Sequence, residues 1–202
     1  MLLPIVNYGH PALRRKGARI EALTPEIRQL AADMLETMHR ASGVGLAAQQ
    51  VARALQLTVV DVRGVEDRPS TMEIGGRPAK PEEHMPLVLI NPEIEPHGAP
   101  DTGPEGCLSF PEIYADITRP ETVTVRAQNE RGEILEFRAG GLLSRAIQHE
   151  YDHLQGILFI DRMTAETKRG LQPELDRLQA ETKAWLRAGK LPADARDVPL
   201  VR

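Results

Sequence analysis

The 202-residue sequence predicts an α+β domain, and three observations predict it. Helical apolar spacing is confined to a few separated segments. Short β-branched runs end at turns or return as a hairpin. No βαβ alternation and no internal repeat is present, so helices and strands are segregated along the chain.

Thr24-Pro25 supplies an N-cap and a proline at the first helical position. Ile27, Leu30, Ala31, Met34, Leu35 and Met38 follow on one face, which predicts an amphipathic helix over residues 25–40. Ser42-Gly43-Val44-Gly45 breaks it, and the β-branched run 57–62 has strand length. Residues 63–86 hold Pro69, Pro78, Pro81 and Pro86 with little periodicity, which predicts an exposed, mobile loop insertion. Leu87-Val88-Leu89-Ile90 reads as a buried strand stopping at Asn91-Pro92, with Ile94 continuing it beyond a bulge. Val123, Val125 and Ala127 share a face of residues 122–128, Asn129-Glu130-Arg131-Gly132 turns the chain, and residues 134–138 return as a hairpin. Leu142, Leu143, Ala146, Ile147 and Leu154 mark a second, apolar helix that Gly156 stops. Leu175, Leu178, Trp185 and Leu186 are spaced for one face of a terminal helix ending near Gly189 and Pro192.

Composition narrows the function. Hydrophobic residues make up 41% and charged residues 27%, ordinary for one globular domain. A net charge of −4 provides no basic field for a nucleic-acid backbone or an anionic membrane, so neither is an expected partner. Apolar runs are too short to span a bilayer. One cysteine, Cys107, forms no internal disulfide, and the first residues lack a secretory signal, which makes the cytoplasm the expected compartment.

The sharpest motif is His149-Glu150-Tyr151-Asp152-His153, an H-E-x-x-H inside the second helix. At i and i+4 the two imidazoles project from one face and reach a common metal, with Glu150 placed as a general base beside it. The apolar neighbours argue against an ordinary solvated helix. A catalytic site needs a third ligand. Phe159 stands where the longer peptidase motif requires a third His, and Glu174, an alternative peptidase ligand, lies in a polar, broken segment. Cys107, in Glu105-Gly106-Cys107-Leu108-Ser109-Phe110-Pro111, is the competing ligand, and a His2Cys set suits Fe(II), Zn, Co or Ni. A blue-copper site would want an axial Met and no base, and a closed structural site would want a fourth ligand. Residues 43–50, Gly-Val-Gly-Leu-Ala-Ala-Gln-Gln, satisfy a dinucleotide-binding pattern but follow a helix and lead to a strand, the wrong context. They read instead as flexible backbone lying along an extended substrate, with Gln49 or Gln50 aimed into the site. His10, His39, His84 and His97 lie outside ligand spacing and read as surface or loop residues.

Taken in order, the segments 43–50, 105–109 and 148–156 resemble the motifs G-φ-G-φ-A-A-x-Q, E-G-C-φ-S and H-E-x-D-H of the bacterial peptide deformylases, where φ is apolar. The resemblance covers roughly residues 3–165. It implies an α+β fold with mixed and antiparallel strands around the motif-bearing helix, between an N-terminal and a C-terminal helix. It implies a catalytic domain over residues 1–165, followed by a C-terminal helix and tail over 166–202. The implied activity is removal of the formyl group from the N-terminal formylmethionine of new peptides, with release of formate. Cys107, His149 and His153 match the metal ligands, Glu150 the catalytic acid/base, and Gln50 with the Leu108 N–H the oxyanion donors. Val44, Gly45 and Glu105 match positions bordering the substrate groove. The implied metal is Fe(II), with Zn, Ni or Co as substitutes. The implied partners are N-formylmethionyl peptides and, through a terminal helix, the ribosome surface. Two features depart from the pattern: residues 63–86 look longer than in short members, and Tyr114 stands where some members carry Arg.

Overall fold

The structure, a computed structural model, describes residues 1–192. Its centre is a seven-stranded sheet in the order β1-β2-β5-β6-β7-β3-β4. The strands are β1 (Gly45–Ala47), β2 (Leu57–Val60), β3 (Ser70–Ile74), β4 (Arg77–Ala79), β5 (Leu87–Cys107), β6 (Phe110–Gln128) and β7 (Ile134–Gly140). Every pairing of these strands is antiparallel, and Ala18 adds a single parallel bridge to Leu55. The helices are α1 (Pro25–Arg40), α2 (Gly141–Leu154), α3 (Ala165–Gly170) and α4 (Gln172–Arg187).

The first helix forms as its sequence dictates. The Thr24 hydroxyl accepts the Ile27 N–H, Pro25 starts the helix, and Ile27, Ala31, Met34 and Met38 are buried. They pack on Leu57, Val59, Val88 and Ile90, while Val60, Leu87 and Leu89 face the opposite way against Leu143, Ala146 and Ile147 of α2. The run 87–90 is continuously apolar because both of its faces are covered. This layering fixes α2 against the sheet, and burying each large apolar side chain contributes about 1.5–3 kcal/mol.

A third cluster joins Ile113, Ala115 and Ile117 of β6 to Leu158, Phe159, Ile160 and Leu175. Phe110 and Phe159 meet edge to face at 5.0 Å between ring centroids.

The expected bulge after Ile90 is present as a register shift between Ile90 and Glu93, and β5 then continues to Cys107. Gly156, at φ +74°, ends the α2 region, and a Cβ there would stand 2.7 Å from the Arg14 carbonyl oxygen.

Several expectations are corrected. Residues 63–86 are not simply an exposed loop, because β3 pairs with both β4 and β7 and buries Met72. The tight Gly75-Gly76 turn reverses the chain, and Pro78 is tolerated because β4 is an edge strand. Residues 45–51 are buried as β1 and a 3₁₀ turn, so this backbone is not a loose segment. His10 is buried: its Nδ1 accepts the Ala12 N–H, and its Nε2 lies 2.9 Å from the Pro192 carbonyl oxygen. The terminal helix is two helices meeting at Leu171, and Trp185 stays 49% exposed while Leu175 packs. No helix among the described residues is long and apolar enough to cross a membrane. The part of the expected tail over residues 193–202 lies outside the described residues.

Candidate active site

Helix α2 carries the H-E-x-x-H motif with Gln148, His149, Glu150, Asp152 and His153 all buried. Residues 105–110, at the tip where β5 turns into β6, bring Cys107 to it. The ligand atoms of Cys107, His149 and His153 lie within 4.8 Å of one another, the one such cluster among the described residues. Cys107 Sγ is 3.3 Å from His153 Nε2. A thiol and two imidazoles this close are a donor set for a borderline or soft divalent cation. Glu174 is exposed and belongs to no such cluster, which sets aside the alternative peptidase ligand.

Each donor is held from behind. His149 Nδ1 lies 2.9 Å from Glu105 Oε2, so its N–H donates to the carboxylate and Nε2 is left for a cation. Glu105 in turn accepts Arg119 Nε at 2.6 Å, Arg119 Nη2 at 3.0 Å and Arg145 Nη1 at 3.0 Å. Arg119 reaches onward to Asp152 at 2.8 Å, and Arg162 closes on the same carboxylate. Burial pushes the Glu105 carboxyl up, but hydrogen bonds from His149 and Arg119 outweigh it and hold the group well below the usual carboxylate range. Glu105 lines the cleft, yet its carboxylate is engaged with His149 and the two arginines, so it orients an imidazole.

Glu150 has the opposite environment. Burial pushes its carboxyl up to about 7, against the lowering influence of His149 and Arg119, and Oε2 has no hydrogen-bond partner. A carboxyl so tuned sits where a proton can be taken or returned near neutral pH. Gly45 makes room for it, because a Cβ there would stand 2.8 Å from Glu150 Cδ and Cγ.

The structure also distinguishes the two glutamines. Gln50 donates from Nε2 toward Cys107 Sγ at 3.5 Å and Ser109 Oγ at 3.3 Å, and its Oε1 accepts the Ala47 N–H at 2.8 Å. Gln49 points instead toward the Arg15 carbonyl oxygen.

Gln50, Cys107, His149 and Glu150 line one cleft of about 600 Å³, together with Gly43, Val44, Gly45, Glu105, Leu108, Leu142 and Ala146 among others. β1 is the terminal strand of the sheet and pairs with β2 alone, which leaves an edge for an extended chain to join.

Sequence reasoning missed Arg119, Arg145, Asp152 and Ser109. Arg119 had a signal: it shares the inward parity of Ile113, Ala115 and Ile117 on β6, and a charge at a core position needs buried partners.

An open three-donor site with a raised carboxyl beside it, set in a cleft with a free strand edge, defines a metal-dependent hydrolase acting on extended peptides. The chain belongs to the polypeptide deformylase family, whose model matches residues 2–169. It is 48% identical over 179 residues to the peptide deformylase of Methylacidiphilum infernorum, covering 89% of this chain and 94% of that one. It is 46% identical to the peptide deformylase of Opitutus terrae, covering 91% of this chain and 96% of that one. The crystal structure of peptide deformylase from Thermus thermophilus superposes with a TM-score of 0.75 at 36% identity, over 90% of this chain and 99% of that one. The protein is accordingly a metal-dependent hydrolase that removes the N-formyl group from the N-terminal formylmethionine of peptides and releases formate.

Proposed function

We propose that deformylation takes place in this cleft with Cys107, His149 and His153 as the metal ligands. The raised carboxyl of Glu150 beside those donors, with its Oε2 left without a hydrogen-bond partner, carries the proposal. The substrate main chain joins the edge of β1 along Val44 and Gly45, which brings the formyl group to the donor cluster. Cys107, His149 and His153 would hold a divalent cation there, which would supply Lewis-acid polarisation and lower the pKa of water toward neutrality. Glu150 accepts the proton of the attacking water. Gln50 Nε2 and the Leu108 N–H donate to the oxygen that becomes negative as the formyl carbon turns tetrahedral. Glu150 then returns its proton to the leaving amine, and formate departs.

We assign Fe(II) as the resident cation on the family resemblance, and Zn, Ni or Co can substitute because sulfur with two imidazoles accepts all four. We take residues 1–165 as the catalytic unit. α4 is the element we place against the ribosome surface, supported by the exposure of Trp185, and the cytoplasm is the compartment that follows. Glu150→Gln tests the central role: it should keep a full metal complement and lose turnover. Retained turnover at full metal content would contradict it.

A further inference from the structure

One cation lines the cleft without a counterpart. Arg68 is half-buried there, and among the described residues no hydrogen bond or ion pair engages its guanidinium. The other arginine of the lining, Arg145, is fully engaged with Glu105, Asp101 and the Ile117 carbonyl oxygen.

The position of Arg68 is fixed by its neighbours. Leu142 N–H donates to the Pro69 carbonyl oxygen at 3.2 Å, and Leu143 N–H donates to Ser70 Oγ at 3.1 Å. Pro69 and Ser70, next to Arg68 in the chain, are thereby tied to the N-terminal end of α2. These bonds also occupy the Leu142 and Leu143 amides of the helix, and Arg68, in the lining beside them, keeps its guanidinium free among the described residues.

His149 lies about 12 Å along the helix axis from Gly141, at about 1.5 Å per residue. Leu142 and Ala146, one turn apart, give an apolar lining between the two. An extended peptide advances about 3.3 Å per residue, so the backbone that carries Arg68 stands roughly three to four residues' length along the helix axis from His149. A planar guanidinium without a partner matches a carboxylate in both charge and fork geometry.

We propose that Arg68 selects formyl peptides carrying a carboxylate a few residues beyond the formylmethionine. The proposal deepens the reading of the cleft given above and rests on it. The carboxylate has two sources, an acidic side chain in a growing chain or the terminal carboxylate of a short free peptide.

The test uses the full chain loaded with metal and three substrates: formyl-Met-Ala-Glu-amide, formyl-Met-Ala-Gln-amide, and formyl-Met-Ala-Gln with a free carboxylate. The readout is the ratio of kcat/KM values within one enzyme, so a general loss of activity cancels. An acidic substrate should exceed the neutral amide by roughly two- to fivefold at low salt, as expected for a partly exposed ion pair, and the advantage should shrink as salt is added. Arg68→Gln should bring the ratio to one, and Arg68→Lys should retain part of it. A preference in the Glu arm identifies the side chain, and a preference confined to the free-acid arm identifies the terminus. Equal values in the unaltered enzyme, or a preference that survives Arg68→Gln, would overturn the proposal while leaving deformylation in the cleft intact. No formate from any of the three would overturn the underlying reading together with the proposal.

Discussion

Glu105 Oε2 stands 2.9 Å from His149 Nδ1, so a carboxylate at the tip of a long hairpin sets the tautomer of an imidazole on α2. Arg119 fixes that carboxylate from the other side and carries the link on to Asp152, one residue before His153. The hairpin therefore delivers Cys107 and also orients the helix that meets it.

Loss of this link weakens the site before it weakens the fold. Glu105→Gln should lower metal affinity by about 10–100-fold, the usual cost of removing an imidazole's outer partner. Competition with a metallochromic chelator measures it.

The same carboxylate governs acid stability. Its ordinary value is 4.5 and its value in the folded protein is lower, so between the two the unfolded chain binds the additional proton. Its contribution is fully present above pH ~4.5 and is lost as the pH falls toward the folded value, with a slope of at most about 1.4 kcal/mol per pH unit. Denaturant titrations between pH 5 and 3 should show a shallower slope in Glu105→Gln than in the unaltered chain.

Arg119 is 3% exposed, between Glu105 and Asp152. Arg119→Ala removes the cation shared by two buried carboxylates, which keep Arg145 and Arg162, and should destabilise the protein by up to about 3 kcal/mol. Urea denaturation gives the value directly.

Gln50→Glu separates two roles of one side chain. The carboxylate still accepts the Ala47 N–H but has no N–H to give toward the cleft. Turnover should fall by about 10²–10³ in kcat, the cost of one oxyanion donor, with the fold retained by circular dichroism.

The elements that follow local rules were legible in the sequence. The cap at Thr24, the stripe through Met38 and the spacing of His149 and His153 each depend on residues within a few turns of one another. The pairing of β3 with β7 was not legible, because Thr71 and Gly140 are far apart in sequence and a Pro- and Gly-rich composition hides a short edge hairpin. Cys107 was visible as the candidate for the third ligand that His149 and His153 lack. The arginine network behind it was not, since only the packing of β6 against α2 brings Arg119 to Asp152. His10 was misread for the same reason: its partner at Pro192 lies at the far end of the described chain.

The most direct test of the account is formate release from formyl-Met-Ala-Ser by protein purified without oxygen, with metal content measured on the same sample. Formate should rise in proportion to bound metal, and the acetylated peptide should release no acetate under the same conditions. A folded, fully metallated sample that releases no formate would contradict the account.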